Sequence, residues 1–314
     1  MAHNNSHDHS HGPCHGHEHS HAPENFDRAF AIGIALNFCF VVVEAIFGGL
    51  AHSLALLADA GHNLSDVLGL LLAWGATVLA RRMPTQRRTY GLRRSSILAA
   101  LLNALILLIV VGGIAWEAIL RFSHPEPVAS STVIWVASTG ILINGFTAWQ
   151  FMSGKKQDIN IRGAYLHMAA DAAISLGVVV AAVAMYFTNW LWLDPAVSLL
   201  IVMVISVGTW RLLLEALDLA LDAVPESIHP EKIEAYLAEL PGVEAVHDLH
   251  IWSMSTTEIA LTVHLVKPDA VIDDALLSRI NEELRHKFGI SHTTVQLEQG
   301  DVAYPCVQAP VNVV

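Results

Sequence analysis

The chain has 314 residues, 54% hydrophobic and only 15% charged, with a mean hydropathy of +0.48 and a net charge of -12 when histidine is counted neutral. That composition excludes an ordinary soluble domain and places the chain in a bilayer, and the acidic balance argues against nucleic acid as a partner. The three cysteines, Cys14, Cys39 and Cys306, form no CxxC pair, so neither a disulfide framework nor an oxidising compartment is indicated.

Residues 1–25 are low in complexity and carry His3, His7, His9, His11, His15, His17, His19 and His21 among Ser, Gly and Pro. Such a stretch cannot bury a core and is expected to be disordered without metal. The irregular spacing, with Asp8, Glu18, Pro13 and Pro23 interspersed, reads as a native metal-gathering tether rather than a purification tag. A polar, histidine-rich start is unlike a cleavable signal peptide, so the first apolar run is expected to remain as an anchor.

Residues 26–222 hold six apolar runs, about 28–50, 54–80, 96–121, 131–152, 161–187 and 190–213, each long enough to cross about 30 Å of hydrocarbon as a helix. Arg81, Arg82, Arg87, Arg88, Arg93 and Arg94 crowd the second connection, and Lys155, Lys156 and Arg162 the fourth, whereas Arg121 alone lies near a boundary on the other side. Basic residues favour the cytoplasm, so both termini are expected there, in the inner (cytoplasmic) membrane. Residues 223–300 have the composition of a soluble domain. Periodicity predicts a helix over 225–239, strands over 243–254 and 258–266, a second helix over 274–288 and a third strand over 293–298. Residues 301–314 read as a loosely ordered tail.

Chemistry concentrates in two stretches, His62-Asn63-Leu64-Ser65-Asp66 and His167-Met168-Ala169-Ala170-Asp171. A helix turns about 400° over four residues, so each histidine shares a face with its aspartate. Ionisable groups at membrane depth are expensive and line substrate or proton paths. The second and fifth spans run antiparallel, which sets His62 near the depth of Asp171 and Asp66 near that of His167. Two imidazoles and two carboxylates suit tetrahedral zinc, with cobalt, cadmium, nickel or ferrous iron open on ligand type. An imidazole must be neutral to bind metal, so loading displaces protons and supplies a coupling. Asp59, three residues before His62, is open between a structural bond and a part in proton or metal entry. Asn37, Glu44, Asn103 and Asn144 are expected to bond between helices.

These residues resemble the cation diffusion facilitator family, in its zinc-selective, proton-coupled branch. The segment from Ser53 through His62 to Asp66 looks like that family's second-span signature, and Ala164 through His167 to Asp171 like its fifth. His247-Asp248-Leu249-His250-Ile251-Trp252 and Leu261-Thr262-Val263-His264 are similar to the signature of its cytosolic domain. The resemblance implies an all-α domain of six transmembrane helices with a ferredoxin-like α+β C-terminal domain, a homodimer, and export of Zn2+ against protons. It carries the transport role onto His62, Asp66, His167 and Asp171, and a regulatory ion onto His247, His264 and Glu298, with Cys306, His250 and His292 as weaker candidates. Where some members place Asp and His in the loop between the second and third spans, this chain has arginines. Where close relatives have a glutamate it has Ser96, and Gln296 stands where bacterial members have a histidine ligand.

Two other classes fit the same intramembrane ligands less well. A zinc-dependent intramembrane hydrolase needs a general base and an open metal position, and the chain lacks HExxH, so an enzyme is not expected. A membrane metal sensor that does not transport would keep signalling after Asp66→Ala or Asp171→Ala.

Overall fold

The computed structural model describes residues 24–309 except Arg81, 153–158 and 269–273, with side chains from Asn37 onward except Leu70, Ala73, Thr77, Phe151 and 159–164. The histidine-rich segment, Lys155 and Lys156 lie outside the described residues.

Six long helices come first: α1 (Glu24–Leu50), α2 (Leu54–Ala80), α3 (Ser95–Ser123), α4 (Ser130–Phe151), α5 (Ile159–Thr188) and α6 (Leu193–Ala220). Five of them, α2 to α6, are long and apolar enough among the described residues to cross a membrane, and the described apolar part of α1 is Asn37–Leu50. Apolar side chains such as Ile109, Trp135, Leu142 and Val180 point outward, as lipid contact requires. Helix α6 runs about two turns beyond its apolar stretch, because Leu212–Leu219 keeps strong helix formers until Asp222 takes a left-handed φ of 62°.

Helix α5 packs chiefly on α4, α3 on α6, and α2 on α1, α3 and α6, while α2 and α5 meet along a short seam. Gly140 on α4 makes one close approach possible, since a Cβ there would lie 2.7 Å from the Phe40 ring and 3.2 Å from Ser175 Oγ. At the other edge of the bundle the fully buried Asp194 caps α2 from α6. Its carboxylate accepts from Ser53 Oγ (2.6 Å), Leu54 N (2.8 Å) and Ala55 N (3.3 Å), satisfying amide donors that a helix start leaves open.

The C-terminal domain comprises α7 (Pro230–Ala238), β1 (Ala245–Ser253), β2 (Ile259–Val266), α8 (Asp274–Phe288) and β3 (His292–Glu298). Helix α7 starts later than its periodicity suggests because Pro230 occupies the first turn, where its missing N–H costs nothing. The sheet order is β1-β2-β3, with β1 and β2 antiparallel and β2 and β3 parallel across α8. Leu261, Val263 and Leu265 pack with Ile233, Leu237, Leu276, Ile280 and Leu284, so both helices cover one face of the sheet. The alternate residues, His264 among them, point to the other face.

The order α7-β1-β2-α8-β3 is the one the periodicity predicts, and it makes a small two-layer α+β domain whose three strands include one parallel pair among the described residues.

Candidate metal centres and the family they define

In the bundle, His62 and Asp66 leave α2 one helical turn apart and His167 and Asp171 do the same on α5. Because the helices are antiparallel, the contacts cross. His62 Nε2 lies 3.1 Å from Asp171 Oδ1, and His167 Nε2 lies 3.2 Å from Asp66 Oδ2, whereas the pairs within each helix are longer, at 3.9 and 3.8 Å. The rings stand edge to face with centroids 6.0 Å apart. Ligand atoms of His62, Asp66 and Asp171 lie within 4.8 Å of one another. His167 stands at the rim of this group, its side chain 42% exposed where Asp171 is 2% exposed. The arrangement offers nitrogen and oxygen donors around a common point, with one side open.

One turn away on the Leu54 side sits a polar cluster that spacing alone did not single out as a unit. Glu44 and Asp59 are both fully buried. Asn63 Nδ2 donates to Glu44 Oε2 at 3.1 Å and Ser175 Oγ donates to Asp59 Oδ2 at 2.8 Å, so the cluster ties α1 to α2 and α2 to α5 beside the crossed pairs. The remaining oxygens, Glu44 Oε1 and Asp59 Oδ1, have no hydrogen-bond donor among the described residues. Asn37, expected to bond between helices, reaches Met168 Sδ at 3.9 Å.

The second centre lies on the helix-free face of the C-terminal sheet. His247 faces His264 across β1 and β2, with ring centroids 5.2 Å apart, and His264 faces Gln296 on β3. Glu298 Oε1 lies 2.9 Å from His264 Nδ1 and Oε2 lies 3.4 Å from His247 Nε2. The tail does not trail away as expected: it returns over the sheet and sets Cys306 Sγ 3.5 Å from His264 Nδ1. His247, His264, Glu298 and Cys306 thus bring one ligand atom each within 4.8 Å of one another. His247 Nε2 is buried 3.4 Å from the Glu298 carboxylate, yet it has no hydrogen-bond partner among the described residues. An atom so placed converges on a shared point rather than on a partner, and two nitrogens, an oxygen and a sulfur fit tetrahedral zinc chemistry.

Local backbone explains this placement. Strand parity would send His247 and His250 to opposite faces, but one extra residue between them makes a bulge, with Asp248 at a φ of 51°, and both face the same side. Asp248 is the functional candidate that sequence reasoning missed. Its carboxylate lies 2.9 Å from His250 Nε2 and 3.5 Å from His264 Nε2. It lies on the Nε2 side of the His264 ring, opposite the Nδ1 atom that faces Glu298 and Cys306, where a carboxylate can orient a ligand imidazole. His250 pairs with Asp248 and stays outside the four-residue group. His292 is displaced altogether: it begins β3 while Glu298 ends it, about 20 Å away at strand rise, and its ring lies against Tyr90 at 5.7 Å.

Burial pushes the Glu298 carboxyl up, but hydrogen bonds from Cys306 and Gln296 and the neighbouring His247 and His264 outweigh it and hold it below the usual glutamate value. The Cys306 thiol is moved the other way. A backbone bond from Gln308 favours the thiolate, yet burial and the Glu298 carboxylate together raise the thiol above the ordinary cysteine value.

Residues 30–219 match the cation efflux transmembrane domain and residues 225–300 match the cytoplasmic domain of cation efflux proteins. The chain belongs to the cation efflux family, the cation diffusion facilitators. It is a metal cation efflux transporter with a membrane domain and a C-terminal cytoplasmic domain. Among the relatives of this cation efflux protein is the metal cation efflux system protein CzcD of Cupriavidus metallidurans, 37% identical over 91% of this chain and 90% of the relative. The cadmium, cobalt and zinc/H(+)-K(+) antiporter of Bacillus subtilis is 37% identical over 82% and 85%, and the zinc transporter ZitB of Yersinia pestis is 38% identical over 85% and 86%. A solved structure, the metal-bound C-terminal domain of the CzcD transporter, matches 23% of this chain and 99% of its own at 36% identity with a TM-score of 0.21.

Proposed function

We propose that this protein exports zinc from the cytoplasm across the inner membrane in exchange for protons, with His62, Asp66, His167 and Asp171 as the transport site. The crossed pairing of His62 with Asp171 and His167 with Asp66 carries the reading. An imidazole and a carboxylate that hold a proton between them must give it up when a dication takes the same lone pairs, so metal and proton compete for one site. The short seam between α2 and α5 lets one helix group rock on the other, which would expose the site to each side in turn. In this proposal α1 is the sixth crossing, both termini are cytoplasmic, the active unit is a homodimer, and no enzymatic reaction is performed. Cobalt, cadmium, nickel or ferrous iron as main substrate is the near alternative, and the Bacillus subtilis relative, named for cadmium and cobalt beside zinc, supports the first two.

Proteoliposomes loaded with a zinc-sensitive dye test the reading. Zinc entry should drive protons out and alkalinise the lumen, read by a co-trapped pH-sensitive dye, and should slow when the pH gradient is collapsed. Flux indifferent to that gradient would refute proton exchange, and a panel of ions ranks the substrates.

The four-residue cluster on the sheet is proposed as a regulatory ion site that biases the membrane domain. The turn joining β1 to β2 touches the bundle directly: Glu258 pairs with Arg93 at 2.8 Å and Thr256 N donates to Ser96 Oγ at 3.1 Å. Asp248→Asn should lower zinc affinity of this site roughly 10- to 100-fold, the usual cost of losing a carboxylate that orients a ligand imidazole. Competition against a chromophoric chelator, compared between wild type and variant, measures it.

A further inference from the structure

An acidic protein here carries a concentrated basic surface on one described loop. The loop from Arg82 to Ser95 contains Arg82, Arg87, Arg88, Arg93 and Arg94 and no acidic residue. Two of these arginines turn toward the C-terminal domain, Arg93 to Glu258 and Arg94 to Asp222. Arg82, Arg87 and Arg88 are exposed, and among the described residues no ion pair reaches them.

The loop is built rather than loose. Thr85 and Arg88 exchange both backbone hydrogen bonds at 3.0 Å, and Gly91, at a φ of 70°, donates to Arg88 O at 2.9 Å. A Cβ at Gly91 would also crowd Arg82 O at 3.3 Å, so the turn folds back and brings the segment bearing Arg82 beside the one bearing Arg88. Tyr90 pins the loop to the start of β3 through His292. Ala80, the last residue of α2, and Ser95, the first of α3, bracket it, so it lies where two membrane-crossing segments leave the hydrocarbon. Met83 is 83% exposed directly beside Arg82, and Tyr90 is half exposed.

We propose that this loop is a binding surface for the anionic phospholipid headgroups of the leaflet on the side of the C-terminal domain. Guanidinium groups grip phosphate oxygens with paired, planar donors, and basic residues at this level contribute about 1 kcal/mol each toward anionic lipid, roughly fivefold in affinity. An exposed apolar Met83 beside Arg82 is unfavourable in water but suited to the boundary of headgroup and acyl chain. Continuity with the spans, rather than charge alone, selects lipid over an acidic protein partner.

The full chain reconstituted in phosphatidylcholine vesicles, with trace spin-labelled phosphatidylglycerol or phosphatidylcholine, gives the fraction of each lipid held at the protein. Wild type should retain phosphatidylglycerol in preference, and less so at high salt. R82Q/R87Q/R88Q should lose that preference by roughly fivefold per arginine, while R82K/R87K/R88K, which keeps the charge without the planar fork, should keep part of it. Equal retention of both lipids by wild type, or a preference that survives in the glutamine variant, would overturn the proposal. So would displacement of the label by soluble glycerol phosphate, which would mark a free-phosphate site. Should the glutamine variant fail to insert, the lysine variant and the salt dependence of wild type decide.

Discussion

Exchanging Asp171 for asparagine is expected to reduce zinc flux roughly 100-fold or more, corresponding to about 3 kcal/mol of lost binding in the translocating state. Asp171 is 2% exposed and its two oxygens reach both imidazoles, Oδ1 to His62 Nε2 at 3.1 Å and Oδ2 to His167 Nε2 at 3.8 Å. Asparagine fills the same space but removes the charge that a dication needs and turns one of the two oxygens into an N–H2 donor, which cannot ligate. Water can replace an exposed ligand but not one so deeply set, so the four substitutions should rank by burial. Asp171→Asn and His62→Ala should be most severe, Asp66→Asn intermediate and His167→Ala, at the rim, the mildest. Flux into proteoliposomes measures the order, with unaltered elution from a sizing column and retained metal binding by the C-terminal domain showing that the fold is intact. Equal losses at all four positions would mean that the open side of the group closes during transport and makes His167 as buried as the others.

Much of this was legible in the sequence because helical spacing is a strong constraint. Histidine and aspartate four apart on two long apolar runs must each share a face, and an even number of intervening crossings fixes whether the two helices run antiparallel, which in turn dictates the crossed contacts between His62 and Asp171 and between His167 and Asp66. Strands gave less. Their period of two assigns His264 and Glu298 correctly to one face, but a single inserted residue reverses every side chain beyond it, and nothing in His247-Asp248-Leu249-His250 announces that Asp248 adopts a left-handed φ. That bulge brings Asp248 within 3.5 Å of His264, so the orienting carboxylate was invisible until the backbone was known. Glu44 and Asp59 were each noticed singly, yet their union depends on how α1 leans on α2. The helix-first order of the C-terminal domain was legible as well, since Pro225 and Pro230 are both hostile to strand pairing and the periodicity that follows is helical.

Cys306 supplies the most specific expectation for the second centre. Its thiol is raised above the ordinary cysteine value and is therefore protonated at neutral pH before metal arrives. Zinc takes the thiolate, so engaging Cys306 must release one proton per ion, and apparent affinity must climb as pH rises while that proton becomes easier to remove. Glu298, held below its ordinary value, is already a carboxylate at neutral pH and releases nothing. Cys306→Ala should accordingly subtract about one proton from the release per zinc at pH 7 and flatten the rise of log affinity with pH by about one unit per pH unit. His264→Ala should instead abolish the cytosolic ion, because Nδ1 of His264 is the atom that Glu298 and Cys306 both approach, at 2.9 and 3.5 Å. Calorimetric titration of the full chain in buffers of different ionisation enthalpy counts the protons, and the difference between wild type and each variant cancels contributions from every other zinc-binding segment. A proton count unchanged by Cys306→Ala would mean that the tail covers the site without ligating, leaving His247, His264, Glu298 and water to complete the tetrahedron.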